Sequence, residues 1–258
     1  MSTSLIIFSI VLCSNLIIGI LVGISGISGF LLPLIYVGFL DIPVYDALAL
    51  SFLSFAVSGI IGAYSYWKSK NMDLKLALFL SIGSIPGAFL GVQINVLIPE
   101  FLAKLLLYLF ILFAGLSILL KKNKEQDKAN QSKLLNRLFV VMLIGFSTAA
   151  FCALTGAGGP ILLVPILVSL GVNIRVAVGV SLLNSIVIAI PSIFGYFAHA
   201  DVNSLSTLIV ASLVGTTIGI ITGSRLANKV PIQQLKISIA LLTIVSAIYM
   251  LIMLTTGA

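Results

Sequence analysis

Between Thr155 and Pro165 the chain reads Thr155-Gly-Ala-Gly-Gly-Pro-Ile-Leu-Leu-Val-Pro165, which sets three glycines and two prolines into otherwise unbroken apolar sequence. Glycine frees the backbone and proline removes a donor. One helix is therefore expected to end near Thr155 and another to start near Pro160. A similar break stands earlier, Gly23-Ile-Ser-Gly-Ile-Ser-Gly-Phe-Leu-Leu-Pro33. A helix interrupted inside lipid must be buried in protein or line a wet cavity. Two breaks at matching places in two halves mark where a membrane carrier would hold its solute.

The rest of the sequence agrees with a membrane setting. Of 258 residues, 60% are hydrophobic and only 8% charged, and the mean hydropathy is +1.26. No soluble domain of this size has a surface so poor in charge. Several segments reach the roughly 20 apolar residues that span a bilayer. The expected class is an all-α, polytopic membrane protein. The net charge of +7 fits lysines and arginines retained on the cytoplasmic side, not a nucleic-acid partner. Cys13 and Cys152 lie in apolar segments without a CxxC pattern and read as packing residues. The opening residues 1–4 lack a basic n-region, so the first apolar segment is expected to stay in the mature protein.

The chain divides into two membrane repeats, 1–120 and 138–258, joined by a hydrophilic, basic linker at 121–137. In the first, residues 5–22 and 30–40 flank the break, and 46–67, 76–94 and 101–120 each span. In the second, 138–154 and 161–170 flank the break, and 176–198, 205–224 and 234–254 span. Spacing supports duplication. Pro33 and Pro165 lie 132 apart, as do Gly26 and Gly158, while Ser51/Ser181 and Tyr66/Tyr196 lie 130 apart. Gly87/Gly91 match Gly215/Gly219 at 128. Each repeat thus reads as a broken-helix hairpin plus three transmembrane helices. Three crossings per half would invert the second half relative to the first. With the linker in the cytoplasm, 13 of the 14 Lys and Arg fall on that side, and only Lys104 lies outside. Asp41, Asp46, Glu100 and Asp201 lie outside too, Asp41 and Asp46 in a solvated loop. Both termini are expected outside, in a multi-pass protein of the cell membrane.

The Gly156-Ala-Gly-Gly-Pro-Ile-Leu-Leu-Val-Pro165 element, the chain length, the four-plus-four layout and the basic central linker resemble the sulfite exporter TauE/SafE family. The resemblance covers nearly the whole chain. The first element departs from it, with Ser25, Ile27 and Ser28 where the family has a denser glycine run. The family implies transport of small anions, chiefly sulfite, organosulfonates and related sulfur or organic acids, in a direction that varies within it.

The residues themselves can build an anion site without side-chain charge. Helices starting near Phe30 and Pro160 would present free N–H groups carrying about half a positive charge. Glycines let a solute approach the backbone, and hydroxyls add donors. The expected substrate-binding set is Ser25, Gly26, Ser28, Gly29, Ser54, Thr155, Gly156, Gly158, Gly159 and Asn184. The competing reading of these glycines is close helix packing, and of Asn184 an interhelical hydrogen bond. Gly87/Gly91 and Gly215/Gly219/Gly223 read as packing faces at a seam between halves or between subunits, which leaves a homodimer open. Pro86 and Pro191 are expected to kink their helices, and His199 to cap an interface. No catalytic residue, metal or cofactor is expected: an intramembrane protease would need a Ser/His pair or two Asp at depth, and a phosphate loop a strand–helix context with Lys. The function expected is alternating-access transport of a small anion across the lipid bilayer, between the two hairpins. A scaffold or assembly factor, or an anion channel, is the alternative.

Overall fold

The computed structural model describes residues 2–26, 28–120, 135, 137–226 and 232–256. Among them the regular structure is helical throughout. The first half comprises α1 (Ser2–Ser25), a short limb Ser28–Phe39 whose α-wound centre is α2 (Leu31–Leu34), then α3 (Val44–Lys68), α4 (Leu74–Leu97) and α5 (Glu100–Leu120). The second comprises α6 (Leu138–Thr155), α7 (Gly159–Ser169), α8 (Ile174–Phe197), α9 (Val202–Leu226) and α10 (Ile232–Thr256). Most of the linker, Ile27 and Lys229 lie outside the described residues.

Eight of these helices are long and apolar enough to cross a membrane; Ser28–Phe39 and Gly159–Ser169 are the short ones. Each half is therefore a hairpin of one long and one short limb, followed by three long helices. The long limbs are themselves of spanning length, 21 residues at Leu5–Ser25 and 18 at Leu138–Thr155. Large apolar side chains cover the outer surface, with Leu97, Phe139 and Phe194 more than 70% exposed. Such a surface would aggregate in water and suits lipid. Polar caps are confined to the ends: Asp73 accepts from the Leu76 N–H at 3.0 Å to start α4, and Asn173 from the Arg175 N–H at 2.9 Å to start α8.

The halves interlock through two equivalent seams. A methyl added at Gly83, Gly87 or Gly91 of α4 would sit 1.9, 2.2 or 2.2 Å from the carbonyl oxygens of Met142, Phe146 and Ala150 on α6. At Gly215, Gly219 and Gly223 of α9 the corresponding contacts are the carbonyls of Leu12, Leu16 and Ile20 on α1, at 2.6, 2.4 and 2.2 Å. In both seams the residue numbers rise together, so the paired helices run parallel. The three glycines of α4 match the three of α9 at a spacing of 132 (83/215, 87/219, 91/223). This replaces the 128 register expected from pairs alone, because backbone contact aligns triplets and the sequence offers two ways to align pairs. Between the seams α3 packs on α8: Gly59 meets Ile186, Gly62 meets Leu182 and Gly179 meets Tyr66, so these two run antiparallel. α5 packs on α10.

These contacts also sort the charges. Tyr66 and the Asn71 carbonyl lie against Gly179, which brings the loop carrying Lys68, Lys70 and Lys75 to the start of α8 with Arg175. The parallel seams place Arg137 and Arg225 at that same end, called the basic end below. At the opposite, acidic end Asp46 accepts from the Asp201 N–H at 3.1 Å, the Tyr45 ring meets His199 and Glu100 pairs with Lys104 at 3.0 Å. Asp46 is only 7% exposed. It is not part of a solvated loop, because it caps the chain entering α9. By the same contacts, α1 and its short limb begin and finish at the acidic end, and α6 with α7 at the basic end.

Candidate functional site

α6 ends where Gly156 turns left-handed (φ 70°, ψ 16°), with the Ala157 N–H returned to the Cys152 carbonyl at 3.2 Å. This is a common helix stop. Gly158 then takes φ 70° and ψ 147°, a combination open essentially to glycine. The Cys152 thiol donates to its carbonyl at 3.2 Å, so this cysteine steadies the turn as well as packing. Gly158 caps α7, and Pro160 follows in its first turn. The first break is built alike. Gly26 has φ 75° and its N–H returns to the Val22 carbonyl at 2.7 Å. The short limb then starts at Ser28.

Both turns line one cleft of about 20 Å³, together with Val22, Gly29, Phe30, Phe55, Ser58, Ala157, Pro160, Leu182 and Ser185. That is room for about one water molecule, so a larger solute must part the cleft walls to enter. The Phe55 ring sits between the two breaks. A methyl at Gly29 would meet its Cε1 at 2.9 Å, and one at Gly158 its Cε2 at 3.4 Å. No lining residue is charged. The polar equipment is two buried hydroxyls, Ser58 and Ser185, and the first turns of the short helices. Both hydroxyls donate to their own helix, Ser58 to the Phe55 carbonyl at 3.2 Å and Ser185 to the Ser181 carbonyl at 2.9 Å. A hydroxyl can rotate to serve a ligand instead. Among the described residues no group of three or more His, Cys, Asp or Glu could hold a metal.

Of the ten residues expected from sequence, Gly26, Gly29 and Gly158 line the cleft. Gly159 stands just behind it: its added methyl would lie 2.8 Å from the Ser185 Oγ. Gly156 faces Leu48 and Pro33. Ser25 bonds back to the Leu21 carbonyl and to Ser28, at 2.7 and 2.9 Å, and Thr155 to the Phe151 carbonyl at 2.7 Å. These three hydroxyls brace the ends of the breaks. Ser54 belongs elsewhere, to a buried knot around Asn15. The Asn15 Oδ1 accepts from Ser54 at 2.9 Å and Thr216 at 3.0 Å, and its Nδ2 donates to the Tyr36 hydroxyl and the Val11 carbonyl. The knot ties α1, the short limb, α3 and α9 together. Asn184, which stands 130 residues after Ser54, is fully buried outside the cleft, and neither its Nδ2 nor its Oδ1 has a hydrogen-bond partner. Sequence reasoning missed Phe55, Ser58 and Ser185. The signal for the serines was present, each standing four residues beyond Ser54 or Ser181.

The two asparagines predict opposite outcomes. Asn15→Leu strands several buried hydroxyls and is expected to cost about 1–3 kcal/mol, whereas Asn184→Leu removes an unpaired amide and is expected to be neutral or stabilising by about 1 kcal/mol. Thermal unfolding of the purified variants reads both. Equal destabilisation would show that Asn184 is paired after all.

Eight spanning helices, a glycine-turn cleft at the meeting of two interlocked halves, and a lipid-suited exterior define a polytopic membrane protein of transporter type. The family model for the sulfite exporter TauE/SafE matches residues 11–250, and the chain belongs to that family. It is 28% identical to "Probable membrane transporter protein YdhB" of Bacillus subtilis, over 91% of this chain and 96% of that one. A second Bacillus subtilis protein, "Probable membrane transporter protein YjnA", is 24% identical over 92% and 97% of the two chains. A "Probable membrane transporter protein" of Haemophilus influenzae is 27% identical over 90% and 93%. No solved structure matches.

Proposed function

We propose that the protein carries a small anion, such as sulfite, an organosulfonate or a related organic acid, through the cleft by alternating access between its halves. The observation that carries this reading is the convergence of Gly26, Gly29 and Gly158 on one uncharged, water-sized cleft. Here α7 and the short limb begin, and the unpaired N–H groups of a helix's first turn attract negative charge without a cationic side chain. Gly158 and Gly29 leave the backbone open to contact, and Ser58 and Ser185 can add hydroxyl donors. The antiparallel run of the mates α3 and α8, and the entry of the two hairpins from opposite ends, support inverted halves that can exchange roles about the cleft. Collection of the described cations other than Lys104 at one end supports a cytoplasmic basic end and extracytoplasmic termini.

Purified protein in proteoliposomes is expected to give saturable uptake of sulfite or a sulfonate, with mutual competition between substrates. Flux that never saturates would indicate a channel. Flux no greater than that of empty vesicles would return the scaffold reading. A thermal-shift screen gives an independent view. An anion at 100 times its Kd adds about 2.7 kcal/mol of stability to the folded form, with no transport needed.

A further inference from the structure

The two ways out of the cleft are built differently. Toward the acidic end an unbroken file of rings leads away from it. Phe55 meets Phe52 edge to face, centroids 5.5 Å apart; Phe52 stacks on Tyr196 at 5.8 Å; Tyr196 stacks on Tyr45 at 6.4 Å; and Tyr45 leans on His199 at 5.8 Å. Phe52 and Tyr196 are almost wholly buried. The Tyr196 hydroxyl donates to the Ala153 carbonyl at 2.6 Å, and the Phe55 ring fills the gap between Gly29 and Gly158. The file is thereby fastened to both hairpins.

The duplication supplies an internal comparison for the other exit. At the 130-residue spacing, Phe52 corresponds to Leu182, Phe55 to Ser185, Tyr45 to Arg175 and Tyr196 to Tyr66. Toward the basic end the same positions therefore carry an aliphatic side chain, a hydroxyl and a cation. Only Tyr66 keeps its ring, and it is half-buried where Tyr196 is enclosed. Stacked rings present large, mutually oriented surfaces that must separate together, whereas a leucine beside a serine can yield by a rotamer change.

We propose that the rings of Phe55, Phe52, Tyr196 and Tyr45 are the seal that shuts the cleft from the acidic end, and that solute exchanges with the basic end past Leu182 and Tyr66. This rests on the cleft being the transport site. It adds that the resting protein is biased toward the basic side, with the ring file as the slow gate.

Accessibility of a single cysteine tests it. In a background lacking Cys13 and Cys152, Ser185→Cys places a thiol in the cleft. Lys68→Cys and Lys104→Cys, each alone, report the sidedness of sealed vesicles. A membrane-impermeant maleimide is expected to label the cleft thiol from the basic side and scarcely from the acidic side. Adding Phe52→Ala is expected to raise acidic-side labelling about tenfold, by enlarging a minor open population. Phe52→Leu, which copies the mate residue and preserves more packing, is expected to act in the same direction, and Tyr196→Phe, which keeps the ring, to leave the seal closed. Equal labelling from both sides before any ring is removed would overturn the proposal. So would unchanged acidic-side labelling in a Phe52→Leu protein that retains its thermal transition. The thermal shift with sulfite is read in parallel on the unaltered protein, which keeps Ser185 and Cys152. Anion binding with symmetric labelling would sink the seal and keep the transport site, whereas one-sided labelling without anion binding would do the reverse.

Discussion

Replacing Gly158 by alanine is expected to abolish saturable anion transport, by about a hundredfold, the loss that a displacement near 1 Å can cause in a preorganised site. Space is not the obstacle: the new methyl would meet the Phe55 ring at 3.4 Å, an ordinary contact. The obstacle is the backbone. With φ 70° and ψ 147° the residue sits where any side chain costs of order 1–3 kcal/mol. The turn relieves that cost by moving. Its movement shifts the start of α7 and strains the bond from Cys152 to the Gly158 carbonyl. Anion-induced thermal stabilisation is expected to vanish with transport, while the protein without ligand loses only the strain energy. Transport and anion binding at the level of the unaltered protein would remove this turn from the site.

Spans and breaks were legible because each is a matter of composition and spacing. Residues 155–160 could hardly continue a helix, and the structure ends α6 and starts α7 within a residue or two of the expected places. The length of the hairpins' first limbs was less clear. Nothing in residues 5–22 says how deep Gly26 reaches; the carbonyls of α1 against the α9 glycines do. The site was legible only where glycine itself was the signal. Gly26, Gly29 and Gly158 reach the cleft, but Ser25 and Thr155 turn back on local carbonyls, the habit of short hydroxyls inside apolar helices, and Ser28 pairs with Ser25. Asn184 looked like a ligand-facing amide because an amide inside a span needs partners. Its burial away from the cleft depends on the rotation of α8, which hydropathy in a helix apolar all round does not record. Phe55 stayed hidden for the same reason, as one phenylalanine among 15.

The glycine seams carry the other large effect. Gly87→Ala is expected to destabilise the protein by about 1–3 kcal/mol, the usual cost of forcing a methylene into a filled interface. The atom in the way is the Phe146 carbonyl oxygen, 2.2 Å from the new methyl. A backbone atom cannot swing aside as a side-chain tip can, so α4 and α6 must separate. In lipid the separation is costly, because packing, not water exclusion, holds helices together there, and a gap of even half an ångström forfeits part of every contact along the seam. Gly219→Ala should cost a similar amount, since its methyl would meet the Leu16 carbonyl at 2.4 Å in the equivalent seam between α9 and α1. The two seams share no residue, so the double variant is expected to lose the sum of the single losses within about 0.5 kcal/mol. Thermal midpoints in detergent, with size-exclusion profiles to detect dissociated or aggregated protein, measure all three. A Gly87→Ala protein as stable as its parent would mean that α4 and α6 do not meet at their glycines. The alignment of 83, 87 and 91 with 215, 219 and 223 would then lose its physical basis.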